Sequence, residues 1–211
     1  MPNKTRITQH LQYPFYHTIL YDFFEKKSLE KILHELKNLD QPKLHPDDLH
    51  HTRLLKECKT EAICLDDIYR KDRSKSEILK ATHQLTQLRL HEQGDSNPFL
   101  RFLPGTNEDV TFVQRYGDGS SYFPHEDDAV LVCLWVVRAQ EHTGGETVFT
   151  KYNYTPHLPP NSCLIFPSYE LHRVNEISSE IKNKPVRYSI NRRFFTASGR
   201  RSNEWIKREF N

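Results

Sequence analysis

Between Val110 and Phe195 the sequence breaks into short runs of β-branched and aromatic residues, each closed within a few positions by Gly, Pro, Asn or Asp. No other feature limits the fold so strongly. Many short strands joined by polar turns bury their apolar faces as a β-sandwich or barrel. Seven strands are predicted here, over residues 110–115, 121–127, 129–137, 147–150, 162–166, 172–177 and 186–195.

The first half reads differently. Residues 1–14 are polar, with Pro2 and Pro14, and read as a loosely held start. Residues 16–24 suit a short strand, after which Ser28 can cap a helix whose Leu29, Ile32, Leu33, Leu36 and Leu39 share one face. Residues 62–68 suit another strand. Ser76 can cap a second amphipathic helix to about His91, with Ile78, Ala81, Leu85 and Leu88 on its buried side. Residues 94–98 and 104–109 are turn-forming clusters. The stretch 41–59 contains His45, His50 and His51, yet no acidic residue stands at a metal-ligand spacing from them, so it reads as a solvated loop. The tail from Ser198, with Trp205, reads as a short helix or frayed end. With 211 residues the chain is expected to form a single domain over 1–211, with a helical part over about 15–95 and a strand-rich core over about 108–197.

Lys and Arg number 30 against 28 Asp and Glu, and a net charge of +2 gives no electrostatic case for a nucleic-acid or membrane partner. The longest apolar run, 129–137, is too short to cross a bilayer, and the N-terminus has no apolar signal region, so a cytoplasmic protein is expected. Cys58, Cys64, Cys133 and Cys163 form no C-x-x-C pair and read as free thiols, Cys133 and Cys163 in the core with Trp135.

Chemistry concentrates in YGDGSSYFPHED, residues 116–127. On an extended strand His125 and Asp127 project from one face, because side chains alternate with period two. By the same alternation Glu126 and Asp128 face away. Gly117 and Gly119 read as turn residues, since no helix N-terminus follows to make a phosphate cradle. His172 comes 45 residues after Asp127, directly after an apolar strand and turn. Two imidazoles and one carboxylate form the facial triad that suits Fe(II) or Mn(II) and leaves coordination positions open. Further on, the strand VRYSINRRFF offers Arg187, whose guanidinium can fork onto a carboxylate, with Ser189 on the same face. Arg193 has the same parity as Arg187, so the choice stays open; Arg187 is favoured as nearer in sequence to His172.

Tyr116, Gly119, Tyr122, His125 and Asp127 spell Y-x-x-G-x-x-Y-x-x-H-x-D, which resembles the metal-binding signature of the prolyl 4-hydroxylase-like branch of the 2-oxoglutarate- and Fe(II)-dependent oxygenases. GGETVF at 144–149 resembles that family's glycine hairpin, LIFPSYELHRV its distal-histidine strand, and Arg187-Tyr188-Ser189-Ile190 its cosubstrate-anchoring strand. The four pieces stand in order over 110–196, and 16–39 resembles the family's opening strand and helix. The resemblance implies a mainly β fold with flanking α, a double-stranded β-helix (jelly roll, cupin-like) with N-terminal helices packed on the sheet. It implies Fe(II) held by His125, Asp127 and His172, and 2-oxoglutarate held through its C5 carboxylate by Arg187, with a hydroxyl donated by Tyr116 and Ser189 nearby. It also implies molecular oxygen as cosubstrate, ascorbate as a supporting reductant, and release of succinate and CO2.

Arginine stands where collagen-type members carry lysine, which aligns the chain with the oxygen-sensing prolyl hydroxylases. The segment 175–185 is longer than usual and is expected to reshape the substrate entrance. Protein or peptide prolyl residues are the first choice of substrate; free amino acids or other small molecules are the alternative. A noncatalytic jelly-roll metal-binding module is a reading of another class, and the near-neutral charge disfavours nucleic-acid oxidation.

Overall fold

The computed structural model describes residues 8–39 and 59–196. The expected loop over 41–59, Lys59 apart, and the tail from Ser198 lie outside these residues. Among the described residues the strands are β1 Thr8–Leu11, β2 His17–Leu20, β3 Glu61–Cys64, β4 Glu108–Tyr116, β5 Tyr122–His125, β6 Leu131–Arg138, β7 Thr147–Phe149, β8 Cys163–Pro167, β9 His172–Val174 and β10 Arg187–Phe195. They form two antiparallel sheets, a larger one ordered β1-β2-β8-β6-β10-β4-β3 and a smaller one ordered β5-β9-β7. The strand spacing predicts a sandwich or barrel, and the two sheets form the jelly roll that the resemblance implies. The helices α1 Lys26–Asn38 and α2 Glu77–His83 pack on the larger sheet.

Alternation along two central strands explains how the layers stack. On β6, Leu131, Cys133, Trp135 and Val137 join Ile32, Leu36, Ile78 and Leu79 in the core beneath the helices. Val132 and Leu134 instead meet Phe149, Leu164 and Phe166 in a second core inside the roll. Both faces of β6 are therefore buried, which is why this stretch is apolar throughout. Each Leu- or Ile-sized side chain so buried stabilises the fold by about 1.5–3 kcal/mol. β10 sends Tyr188, Ile190 and Phe194 to the helix side. Its residues of opposite parity, Arg187, Ser189, Asn191 and Arg193, face the other way, so one strand supplies a polar stripe where its neighbours supply core.

Several elements depart from the sequence expectation. The N-terminal stretch is not wholly loose, since β1 pairs with β2 from Thr8 to Leu11. Ser28 does not cap α1: the amide of Leu29 already bonds the carbonyl of Glu25 at 2.9 Å, so the helix has begun by then and Glu25 is its N-cap. The strand expected over 62–68 stops at Cys64, and the single helical turn Leu65–Ile68 tucks Asp66 into the interior. Ser76 does cap α2, accepting from the amide of Leu79 at 3.0 Å. Beyond His83 the winding tightens to 3-10 turns over Gln84–Leu88, and Arg89 in the left-handed conformation ends the run. Leu85 remains buried as expected, but Leu88 is only half-buried and Leu90, outside the predicted face, is buried instead. Cys64, Cys133 and Cys163 are free and buried. No helix among the described residues is long and apolar enough to cross a membrane.

Candidate metal centre

His125 ends β5, His172 begins β9, and the two are directly opposite in the antiparallel ladder. Their rings stand 4.3 Å apart between centroids. The strand expected to run through Asp127 stops at His125, so strand alternation does not place the carboxylate. Instead the Asp127 amide bonds the carbonyl of Ser168 at 2.9 Å, beyond the end of β8, and this carries the side chain to the histidines. Asp127 Oδ1 lies 3.9 Å from His125 Nε2, and Oδ2 lies 3.7 Å from His172 Nε2. One atom from each of the three residues falls within 4.8 Å of the others.

The protonation states suit a cation. Nδ1 of His125 donates to the carbonyl of Phe123 and Nδ1 of His172 to that of Glu170, each at 2.8 Å. Each ring therefore turns an unprotonated Nε2 toward Asp127, the arrangement by which backbone carbonyls fix the tautomer of metal-binding imidazoles. Burial, with His172 adding to it, pushes the His125 pKa down to about 4, and burial also lowers that of His172. Burial would raise the Asp127 pKa, but the Arg193 guanidinium, with the two histidines, holds it below the usual carboxylate range. Arg193 Nη2 stands 2.6 Å from Asp127 Oδ1, yet neither carboxylate oxygen has a hydrogen bond of proper geometry. Two neutral imidazoles and a buried carboxylate with oxygens to spare fit a divalent cation, and this donor set favours Fe(II) or Mn(II).

A cleft runs inward from the histidines and is lined by His125, His172, Tyr116, Gln114, Arg187 and Ser189. Arg187 is 1% exposed, and none of its three guanidinium nitrogens has a hydrogen-bond partner. Its charge lies over the Tyr116 ring, 4.6 Å from the centroid, and burial lowers its pKa. A buried, unpaired guanidinium is costly and calls for an anion. Tyr116 and Arg187 face each other across β4 and β10. The Tyr116 hydroxyl, expected to point at the same anion, here donates to Gln114 Oε1 at 3.2 Å, and Ser189 Oγ donates to the same oxygen at 2.8 Å. Gln114 is a lining residue that sequence reasoning missed, although its parity with Tyr116 on β4 was a signal.

The glycine hairpin explains how Arg187 is covered. Gly144 and Gly145 have φ of +74° and +77°, and a Cβ on Gly145 would sit 3.1 Å from Arg187 Cδ. Only a residue without a side chain lets the backbone come so close. The segment 175–185 closes the same end: Ile177 packs with Tyr116, Tyr122, Val174 and Val186, and Lys182 pairs with Asp118 at 2.6 Å.

The three arginines of β10 have separate places. Arg192 faces the helix side and pairs with Asp109 at 2.9 Å, Arg193 touches the triad, and Arg187 lies in the inner cleft. Proximity in sequence to His172 was a poor guide, since Arg193 is the one that meets a triad residue; Arg187 is set apart by its unpaired nitrogens. Tyr122 is buried against His125, 4.3 Å between ring centroids.

No protein-family profile matches the chain, and no curated protein sequence matches it. Solved structures do. A prolyl-4-hydroxylase from Pseudomonas putida aligns with TM-score 0.57 at 15% identity, over 86% of this chain and 93% of that one. A viral collagen prolyl hydroxylase from Paramecium Bursaria Chlorella virus-1 aligns with TM-score 0.54 at 13% identity, over 86% and 96%. An oxidoreductase of the 2OG-Fe(II) oxygenase family from Burkholderia pseudomallei gives 0.52 at 14%, over 87% and 86%. The chain thus has the jelly-roll fold of these oxygenases, and within it an H-x-D…H triad.

Proposed function

We propose that this chain is a 2-oxoglutarate- and Fe(II)-dependent dioxygenase that hydroxylates an unactivated C–H bond, with a prolyl residue of a protein or peptide as the first choice of substrate. One observation carries the reading: the two histidines of a His–Asp–His triad line one cleft with a buried arginine whose guanidinium nitrogens have no hydrogen-bond partner. A structural metal site would close its coordination shell and would have no use for a carboxylate anchor, which weighs against a noncatalytic module.

His125, Asp127 and His172 would hold the iron, and Arg187 would pair with the C5 carboxylate of 2-oxoglutarate. With oxygen, the loaded centre supplies an oxidant strong enough to attack a C–H bond and leaves succinate and CO2; ascorbate would serve as a supporting reductant. The chain's own contribution is to position and to exclude water. Phe149 and Phe166 pack on His172, with centroids 5.9 Å and 5.1 Å away, and keep that side of the centre apolar. Gln114 holds the hydroxyls of Tyr116 and Ser189 within the anion end of the cleft. The likeness to prolyl hydroxylases supports the choice of substrate only through the shared fold.

The test is direct. Anaerobic protein given Fe(II) and 2-oxoglutarate should develop a weak visible charge-transfer band, and oxygen should then release succinate even without substrate. Folded protein that gives neither result is not this enzyme. A screen of prolyl peptides and free amino acids for products 16 mass units heavier, the mass of one added oxygen, then decides the substrate.

A further inference from the structure

Outside the triad the surface is not neutral. A groove begins at Asp127 and runs between the loop that holds it, the turn after β8, and the 3-10 segment Pro98–Gly105. Its apolar wall is aromatic: Phe99 stands edge-on to Tyr169, with centroids 5.9 Å apart, and 6.2 Å from Phe102. Phe102 and Tyr169 are 55% and 54% exposed. These are two of only three large hydrophobic side chains exposed to that degree among the described residues, and they border the same groove. Glu126 and Asp128, the residues on either side of the triad carboxylate, are exposed and line the groove too. Among the described residues neither has a cationic partner, and Glu126 lies close enough to Glu170 to repel it. Arg101, the basic side chain of the groove, is already paired with Asp95.

An aromatic wall attracts cations to its ring faces, and two unpaired carboxylates beside it add to that attraction. The same carboxylates repel phosphate, so a nucleic-acid strand is a poor occupant. A purely apolar side chain would cover the rings but leave the acids unanswered. Resting on the oxygenase reading for which end of the groove is reactive, we infer that this groove is a specificity subsite for a basic side chain of the substrate, lysyl or arginyl. It lies where a residue next to the one being hydroxylated, or the far end of a long side chain, would sit.

Binding can be read without turnover, by calorimetry on the full chain with and without Mn(II) and 2-oxoglutarate. The probes are N-acetyl-lysinamide, N-acetyl-argininamide and the neutral isostere N-acetyl-norleucinamide, with N-acetyl-prolinamide as a further neutral control. The basic amides should bind at least about tenfold more tightly than either neutral one, a difference of about 1.4 kcal/mol. The double variants Glu126→Gln/Asp128→Asn and Phe102→Ala/Tyr169→Ala should each erase that preference. All four side chains are exposed, so the variants should melt with the parent. Equal binding of norleucinamide or prolinamide, no binding of any probe, or a preference that survives both variants overturns the inference. If the basic amides bind as expected but 2-oxoglutarate gives no charge-transfer band, the subsite stands and the oxygenase reading falls. If the band forms and the preference is absent, the reverse holds.

Discussion

Arg187 and Arg193 lie on one face of one strand, yet their charges are answered differently. Arg193 has Asp127 within 2.6 Å, whereas Arg187 is buried with no hydrogen-bond partner. Replacing each by Met should therefore have opposite effects on the empty protein. Arg187→Met removes an uncompensated buried charge and should raise the unfolding midpoint without ligand, while weakening 2-oxoglutarate by about 2–5 kcal/mol, as expected for a lost charge partner. Parallel thermal melts and 2-oxoglutarate titrations check it; normal binding would mean that another group holds the carboxylate. Arg193→Met leaves Asp127 buried without its principal counter-charge and should cost the metal-free protein about 3–5 kcal/mol. Mn(II) should recover much of that loss, because the ion supplies the missing charge and binds only the folded state. Melts with and without Mn(II) read the difference, and an equal loss in both would show that Arg193 acts only through packing. The triad residues were legible in the sequence because their types and order suffice to name them. The Arg193–Asp127 pair was not, because it joins the end of β10 to a loop that leaves the strand two residues early.

At the level of elements, the strands of the roll were readable and the helical layer only partly so. An apolar core on each face makes β6 a continuous apolar run, whereas β10, buried on both faces, meets core on one and the polar cleft on the other and so alternates from Arg187 to Asn191. Helix ends depend on tertiary partners. Glu35 of α1 accepts from both Ser76 Oγ at 2.7 Å and the Ile78 amide at 2.9 Å, so α2 is capped partly by its neighbour. No local pattern announces that contact. The glycine hairpin has a sharper demand. A Cβ on Gly144 would fall 1.9 Å from the carbonyl oxygen of Glu176, a backbone atom that cannot swing aside. Gly144→Ala should lose about 1–2 kcal/mol from its left-handed backbone alone and more from the clash. Since Gly145 and Ile177 cover Arg187, the displaced hairpin should also weaken 2-oxoglutarate. Urea unfolding together with a cosubstrate titration separates the two effects; a variant that unfolds earlier but binds normally would uncouple the hairpin from the anion end.

Across the whole molecule, buried charge ties the helical layer to the roll and sets how the fold answers acid. Asp66 and Arg73, between β3 and α2, meet Asp109 of β4 and Arg192 of β10 in one cluster, with Arg73 at 3.2 Å from Asp66 and 2.8 Å from Asp109. Burial pushes Asp66 up to about 6, whereas the two arginines outweigh burial at Asp109 and hold it well below the carboxylate range. Burial also lowers the pKa values of His17, His125 and His172. Their linkage has one sign: below the unfolded value of 6.5 the unfolded chain takes up protons that the folded histidines refuse, so stability falls as pH falls toward their folded values. For His125, with a folded value of about 4, that loss is on the order of 3 kcal/mol. Asp66 opposes it, because its raised value lets the folded state bind a proton first between about 6 and 3.8. His83 and His142, also lowered by burial, add to the loss, and Glu170, raised by burial, joins Asp66 in opposing it; five groups act against two, so the urea midpoint of the metal-free protein should drop from pH 7 to pH 5. Mn(II) should raise the curve over that interval without changing its slope, because His125 and His172 are already unprotonated in the folded state and the ion displaces no proton from them. A slope that steepens with metal would show instead that the empty site holds a proton, and that the two imidazoles are not both ready as ligands.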